Sequence, residues 1–277
     1  MKSPLRNVIL PLVVLLVGFN QPGKAQTPDA AELLRDVQAR YGSLQSYSAT
    51  GEVVSGVTRD SSASILPFVQ SQEVRSAFAI KLARPQMYKI VWEQENSFFS
   101  TKGAVWSDGE SRYVTMGGQI TQPADTETAI AMATGVSGGA AHTIPSIFFD
   151  LAGNGITSGS NTATLADGEF VEGEDCYVVT VHSEQIDRTF WISKTSTLIR
   201  REMTVNYAHF AVPELTDTDA TQALVSMGQR ATAEAIRNLR KMIANTNELS
   251  KSIKSSYMIE THREIKTNDP MSPSDFR

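Results

Sequence analysis

Cysteine is the scarcest chemistry-bearing residue in this chain: Cys176 stands alone among 277 residues. One cysteine excludes an internal disulfide, so the fold depends on its core. Cys176 lies in Asp-Cys-Tyr-Val-Val-Thr-Val, a strand-like run where a free thiol serves as a small buried hydrophobe. Histidine is also sparse. His142, His182, His209 and His262 are scattered without an i,i+4 pair, so neither a metal centre nor a cofactor is expected. No Asn-x-Ser/Thr glycosylation acceptor occurs. Basic residues are in deficit, 25 against 30 acidic ones, for a formal net charge of −5. That balance argues against nucleic acid and anionic membrane surfaces as partners.

Long apolar runs are missing except at the N-terminus. There Lys2 and Arg6 precede an apolar run from Val8 to Phe19, followed by Gly23-Lys24-Ala25. This is the order of a secretory signal peptide over residues 1–25, cut before Gln26. Pro11 and the shortness of the run disfavour a retained anchor. Removing Lys2, Arg6 and Lys24 leaves 22 basic against 30 acidic residues, a net charge of −8. The mature chain, 26–277, is expected to be exported, free of membrane spans and built as one β-rich domain.

Helical period opens the mature chain. Thr27-Pro28-Asp29 is a good helix start, Leu33, Leu34, Val37 and Tyr41 share one face, and Gly42 supplies a stop. From Ser46 to Gly118 the period becomes two: Phe78, Ile80 and Leu82, then Tyr88, Ile90 and Trp92, alternate with smaller or polar residues. Asp108-Gly109 predicts a tight hairpin with positive φ at both central positions. Residues 122–155 interrupt the strands with two short helical stretches, Thr126–Thr134 and Ile144–Leu151, joined by a glycine-rich link. Strands resume near Thr162, with a turn at Asp167-Gly168, and run through Phe190–Ile192 and Leu198–Met203. Residues 217–253 are helical again, with a stripe of Leu224, Ala231, Ala235, Leu239 and Met242 and a break at Gly228 or Asn245–Asn247. A last strand covers Tyr257–Ile265. No βα alternation occurs, so the class is α+β with an antiparallel sheet.

Catalytic patterns are few. Gly135-Val-Ser-Gly-Gly139 matches G-x-S-x-G, and Ser137 is the candidate nucleophile of a secreted hydrolase. A helical run precedes it where a nucleophile elbow needs a strand, so a hinge is the better reading. The Glu172, Glu174 and Asp175 carboxylates sit at a turn, and Arg237–Lys241 reads as a solvated helix face. No catalytic residue is assigned. The aromatic load is heavier than the chemistry: Trp92, Phe98, Phe99, Trp106, Phe148, Phe149, Phe190 and Trp191, joined by Ile144 and Ile147. Gathered on one concave face, these would bind an apolar chain at about 0.8 kcal/mol per buried methylene.

Several segments resemble the LolA/LolB-type periplasmic lipoprotein carriers and their bacterial relatives. They are Leu33-Leu-Arg-Asp-Val-Gln-Ala-Arg-Tyr41 leading into Tyr47-Ser-Ala-Thr-Gly-Glu52, Phe78-Ala-Ile-Lys-Leu-Ala-Arg-Pro85, Trp106-Ser-Asp-Gly109, Gly173-Glu-Asp-Cys-Tyr-Val-Val179, and Phe190-Trp-Ile-Ser-Lys-Thr-Ser-Thr-Leu-Ile199. The resemblance covers roughly 28–210 and 255–277. It implies a single curved antiparallel sheet, a half-open barrel, with helices on its concave face. It also implies a periplasmic, non-enzymatic carrier whose cavity takes a lipid or a lipoprotein acyl chain. An arginine holding the lid closed belongs to that picture, with Arg75, Arg84 and Arg112 as candidates. Relatives with this fold act as envelope sensors, which leaves a protein-binding module as the alternative. The helical segment 217–253 exceeds what the fold requires and reads as an insertion, a place for a protein partner.

Overall fold

A computed structural model describes residues 28–59, 73–95, 100–116, 118–137, 139–151, 156–157, 162–207, 215–226, 230–251 and 253–277. Helix α1 (Ala30–Ser43) leads into β1 (Ser46–Arg59), followed by β2 (Val74–Ala83), β3 (Met87–Glu95), β4 (Ser100–Asp108), β5 (Arg112–Met116) and β6 (Gln119–Thr121). Helices α2 (Thr126–Val136) and α3 (Thr143–Phe149) come next. Then follow β7 (Ala163–Val171), β8 (Glu174–His182), β9 (Ile186–Ser193) and β10 (Ile199–Asn206). Helices α4 (Asp217–Ser226) and α5 (Ala233–Ser250) precede β11 (Ile253–Thr267) and a terminal 3-10 turn, Pro273–Phe276.

Among the described residues, eleven strands form one antiparallel sheet in the order β6-β5-β4-β3-β2-β1-β11-β10-β9-β8-β7. Every neighbour is also next in sequence except β1 and β11, which pair along nearly their full lengths and zip the two meanders together. The sheet is curved and unclosed, with β6 and β7 as its edges. The α+β antiparallel architecture read from the sequence is the one observed. Helices α4 and α5 leave and rejoin the sheet between β10 and β11, strands that pair directly. No helix among the described residues is long and apolar enough to cross a membrane.

Alternation decides the two faces. Tyr47, Ala49 and Val53 of β1, Phe78, Ile80 and Leu82 of β2, Tyr88, Ile90 and Trp92 of β3, and Phe190 and Ile192 of β9 share one buried cluster. Leu33, Leu34, Val37 and Tyr41 of α1, Ala129, Ile130 and Ala133 of α2, and Ile144, Ile147 and Phe148 of α3 pack into the same cluster. The helices therefore cover the inner face. A small second cluster of Val171, Cys176, Val178 and Trp191 lies on the other side, with Met203 against it.

Some local expectations change. The cap of α1 is Asp29, its carboxylate accepting from Glu32 N at 3.0 Å. The β4–β5 turn is longer than a two-residue hairpin, because the Asp108 carboxylate accepts from both Glu110 N and Ser111 N, and only Gly109 takes positive φ. Asp167-Gly168 is no turn. It sits inside β7 at a bulge between Ala166 and Glu169, and the chain reverses at Glu172-Gly173, both at positive φ. Helix α5 runs unbroken through Asn245–Asn247; Gly228 lies outside the described residues.

Candidate functional site

The layer between sheet and helices brings together Trp92, Ile144, Ile147, Phe148 and Phe190, all buried, with Phe149 packed at its margin. Phe149 meets Tyr88 edge-on at 6.0 Å and Phe148 at 4.9 Å. The ring of Trp92 lies across Gly103, where a Cβ would come within 2.1 Å of it. Phe98 and Phe99 lie outside the described residues. Trp106 and Trp191 face the other way, for the same reason in each case. Each follows an inward residue, Val105 or Phe190, in an extended strand, and the next side chain must point out. Trp106 stacks on Tyr113 at 5.2 Å on the outer face. Trp191 donates its indole N–H to Glu169 at 2.9 Å and lies under Arg201.

Of the three arginines, Arg84 has the most informative surroundings. It sits just past β2, and its guanidinium donates to four main-chain carbonyls: Leu44 at 3.0 Å, Tyr41 at 3.5 Å, Gly42 at 3.2 Å and Phe148 at 2.7 Å. Its charge also lies 4.8 Å from the Phe148 ring centroid. Helix C-termini leave carbonyls without intrahelical partners and carry partial negative charge. Arg84 thus ties the ends of α1 and α3 to one corner of the sheet. Arg112 reaches Ala124 O at 3.2 Å, just ahead of α2. Arg75 is exposed and pairs with Glu52 and Glu73.

Ser137 is buried in the turn that ends α2. Its hydroxyl donates to Thr134 O and accepts from Ala141 N, each at 3.2 Å. Both partners are main-chain groups of its own turn, which gives the serine a structural use. The helix before it is also the wrong element for a nucleophile elbow.

Periodicity alone does not reveal a polar group inside the apolar face. Glu202, Glu260 and His262 are at most 1 % exposed. Glu202 and Glu260 are directly opposite on β10 and β11. Arg188 donates to one Glu202 oxygen at 2.8 Å. His262 Nδ1 lies 3.3 Å from the Tyr47 hydroxyl, and its Nε2 is 3.0 Å from Glu260 Oε1 without hydrogen-bond alignment. The His262 and Phe78 rings meet edge-on at 5.3 Å over Gly51. Nearby, Tyr41 accepts from Ile199 N at 3.2 Å. Burial raises the Tyr41 and Tyr47 phenols above their ordinary value and pushes Tyr88 up to about 12. The signal for this group was the pair of acidic positions in otherwise strand-like runs, Glu202 and Glu260, in phase with inward neighbours.

A surface cleft of about 780 Å³ lies between the first turns of α1 and strand β7, lined by Pro28, Ala30, Ala163, Leu165 and the carboxylates of Asp29, Glu32 and Asp36. On the far excursion, Arg240 ties α5 to Leu215 O and to Asp217. Ile236, Leu239 and Ile243 of α5 are half-buried, while Met242 and Val225 are exposed.

No family model matches the chain, and no curated protein does. Solved structures do. A DUF1329 family protein from Desulfovibrio piger is 11% identical with a TM-score of 0.33, over 90% of this chain and 95% of that one. A LolA superfamily protein from Nitrosomonas europaea is 10% identical with a TM-score of 0.30, over 91% of this chain and 98% of that one. A chain of the Pseudomonas aeruginosa MucA/MucB complex is 10% identical with a TM-score of 0.34, over 90% of this chain and 61% of that one. A LolA superfamily protein is thus among the structures this chain is similar to. At TM-scores of 0.30 to 0.34 the fold assignment rests on the sheet order given above.

Proposed function

We propose that this chain is a periplasmic carrier that takes a lipid, or the acyl chain of a lipoprotein, between the inner face of its sheet and helices α1–α3, by burial and without covalent chemistry. The observation that carries the reading is Arg84. One side chain holds the ends of two helices through main-chain carbonyls, contacts that water replaces readily when the helices lift. The layer is filled by the helices' own Ile144, Ile147 and Phe148, so a ligand enters by displacing them and packing against them. An acyl chain of a dozen methylenes gains on the order of 10 kcal/mol from burial, more than a few reversible hydrogen bonds cost to release. Titration with an apolar fluorescent probe tests this. Saturable enhancement, competed by a fatty acyl chain, is expected; no enhancement would rule the reading out.

A second reading has its own observation. Val225 on α4 and Met242 on α5 are exposed apolar residues on the excursion between β10 and β11, which suits a protein-binding module. Replacing both by lysine should then abolish capture of a protein partner while leaving probe binding intact.

A further inference from the structure

We propose that Glu202, Glu260 and His262 form a polar subsite within the ligand layer that receives an ammonium head group of an apolar ligand. This rests on the proposed lipid-binding reading and names the ligand class. Among the described residues, Glu202 Oε2, both Glu260 oxygens and His262 Nε2 lack hydrogen-bond partners, although the side chains are at most 1 % exposed. Unpaired carboxylate oxygens removed from water carry a large desolvation cost. Arg188 and Thr204 both donate to Glu202 Oε1, and His262 Nε2 stands 3.0 Å from Glu260 Oε1 without hydrogen-bond alignment. The group is therefore short of donors. An ammonium supplies them, with N–H donors for the open oxygens.

Position fits the proposed route of loading. Met258 precedes Glu260 by two residues on β11, hence on the same face, and Gly139 of the α2–α3 link closes over it. A Cβ at Gly139, which has φ +109°, would fall 2.0 Å from Met258 Sδ. Lifting that link uncovers β11 beside the carboxylates.

The test is displacement of an apolar probe from the full chain at neutral pH by dodecylamine, 1-dodecanol and dodecanoate, each below its micellar concentration. The amine should displace at about tenfold lower concentration than the alcohol, as expected for a charge-assisted contact, and the acid should be weakest. Glu260→Gln, which keeps the shape and cannot ionise, should abolish the amine's advantage over the alcohol. Equal displacement by amine and alcohol in the unaltered protein overturns the subsite while leaving the lipid-binding reading standing. If the probe itself does not bind, both fail. The comparison among ligands needs no variant, so a misfolded Glu260→Gln protein does not blunt it.

Discussion

Arg84→Ala should open the helix layer without unfolding the sheet. The substitution removes three well-formed hydrogen bonds to carbonyls, at 2.7, 3.0 and 3.2 Å, a fourth at 3.5 Å, and the charge over Phe148. Water satisfies the freed carbonyls once the helix ends lift, so each bond contributes its net value of about 1 kcal/mol rather than its gross one. With the cation–π contact the loss is about 4 kcal/mol. That raises the open population roughly 1000-fold. Hydrogen exchange should show faster exchange of amides in α3 and the last turn of α1, with strands β1, β2 and β11 unchanged. Apparent probe affinity should rise, because affinity scales with the fraction of molecules competent to bind. Arg84→Lys keeps the charge but loses the fork that spans several carbonyls, so it should fall between. Unchanged exchange in α3, or faster exchange spread evenly over the sheet, would refute the assignment of Arg84 as the tie.

The two faces give a second expectation. Trp92→Leu should weaken probe binding, whereas Trp106→Ala and Trp191→Phe should not, because those rings lie on the outer side; a loss of binding in either outer variant would contradict the strand phase. Gly51→Ala should cost about 1–3 kcal/mol in urea unfolding, since its Cβ would meet Thr261 O at 2.2 Å and the Phe78 ring at 2.3 Å. The buried phenols set an alkaline limit. Burial raises the Tyr41 and Tyr47 phenols and brings Tyr88 to about 12, so the native state holds these protons more tightly than the unfolded one. Their contribution is complete below about pH 10 and falls as pH rises through 10 to 12 and beyond. Phenolate absorbance from these residues should appear only with loss of near-ultraviolet circular dichroism; ionisation in an intact fold would contradict their burial.

Much of the fold was legible because period two is hard to mistake over many strands. Phe78, Ile80 and Leu82 point inward as the alternation requires, and Leu33, Leu34, Val37 and Tyr41 of α1 are buried against them. Turn chemistry was less reliable. Asp-Gly suits a tight turn, yet Asp167-Gly168 became a bulge, because Glu172-Gly173 could also take positive φ and kept β7 and β8 in register. The site was read in part. Phe190 and Trp191 cannot both face inward from adjacent strand positions, so an inventory of aromatics overcounts a cavity wall. Three arginines looked alike in sequence, and only the tertiary placement of carbonyls from α1 and α3 distinguishes Arg84. The polar group at Glu202, Glu260 and His262 joins residues from β10 and β11 that meet across the excursion of α4 and α5, a pairing no local pattern announces.

Mass spectrometry of an organic-solvent extract, from protein purified out of its native envelope without detergent, tests the central claim most directly. The account predicts a near-stoichiometric apolar species in the extract. An empty extract from unaltered protein, together with no binding of an apolar probe, would contradict it.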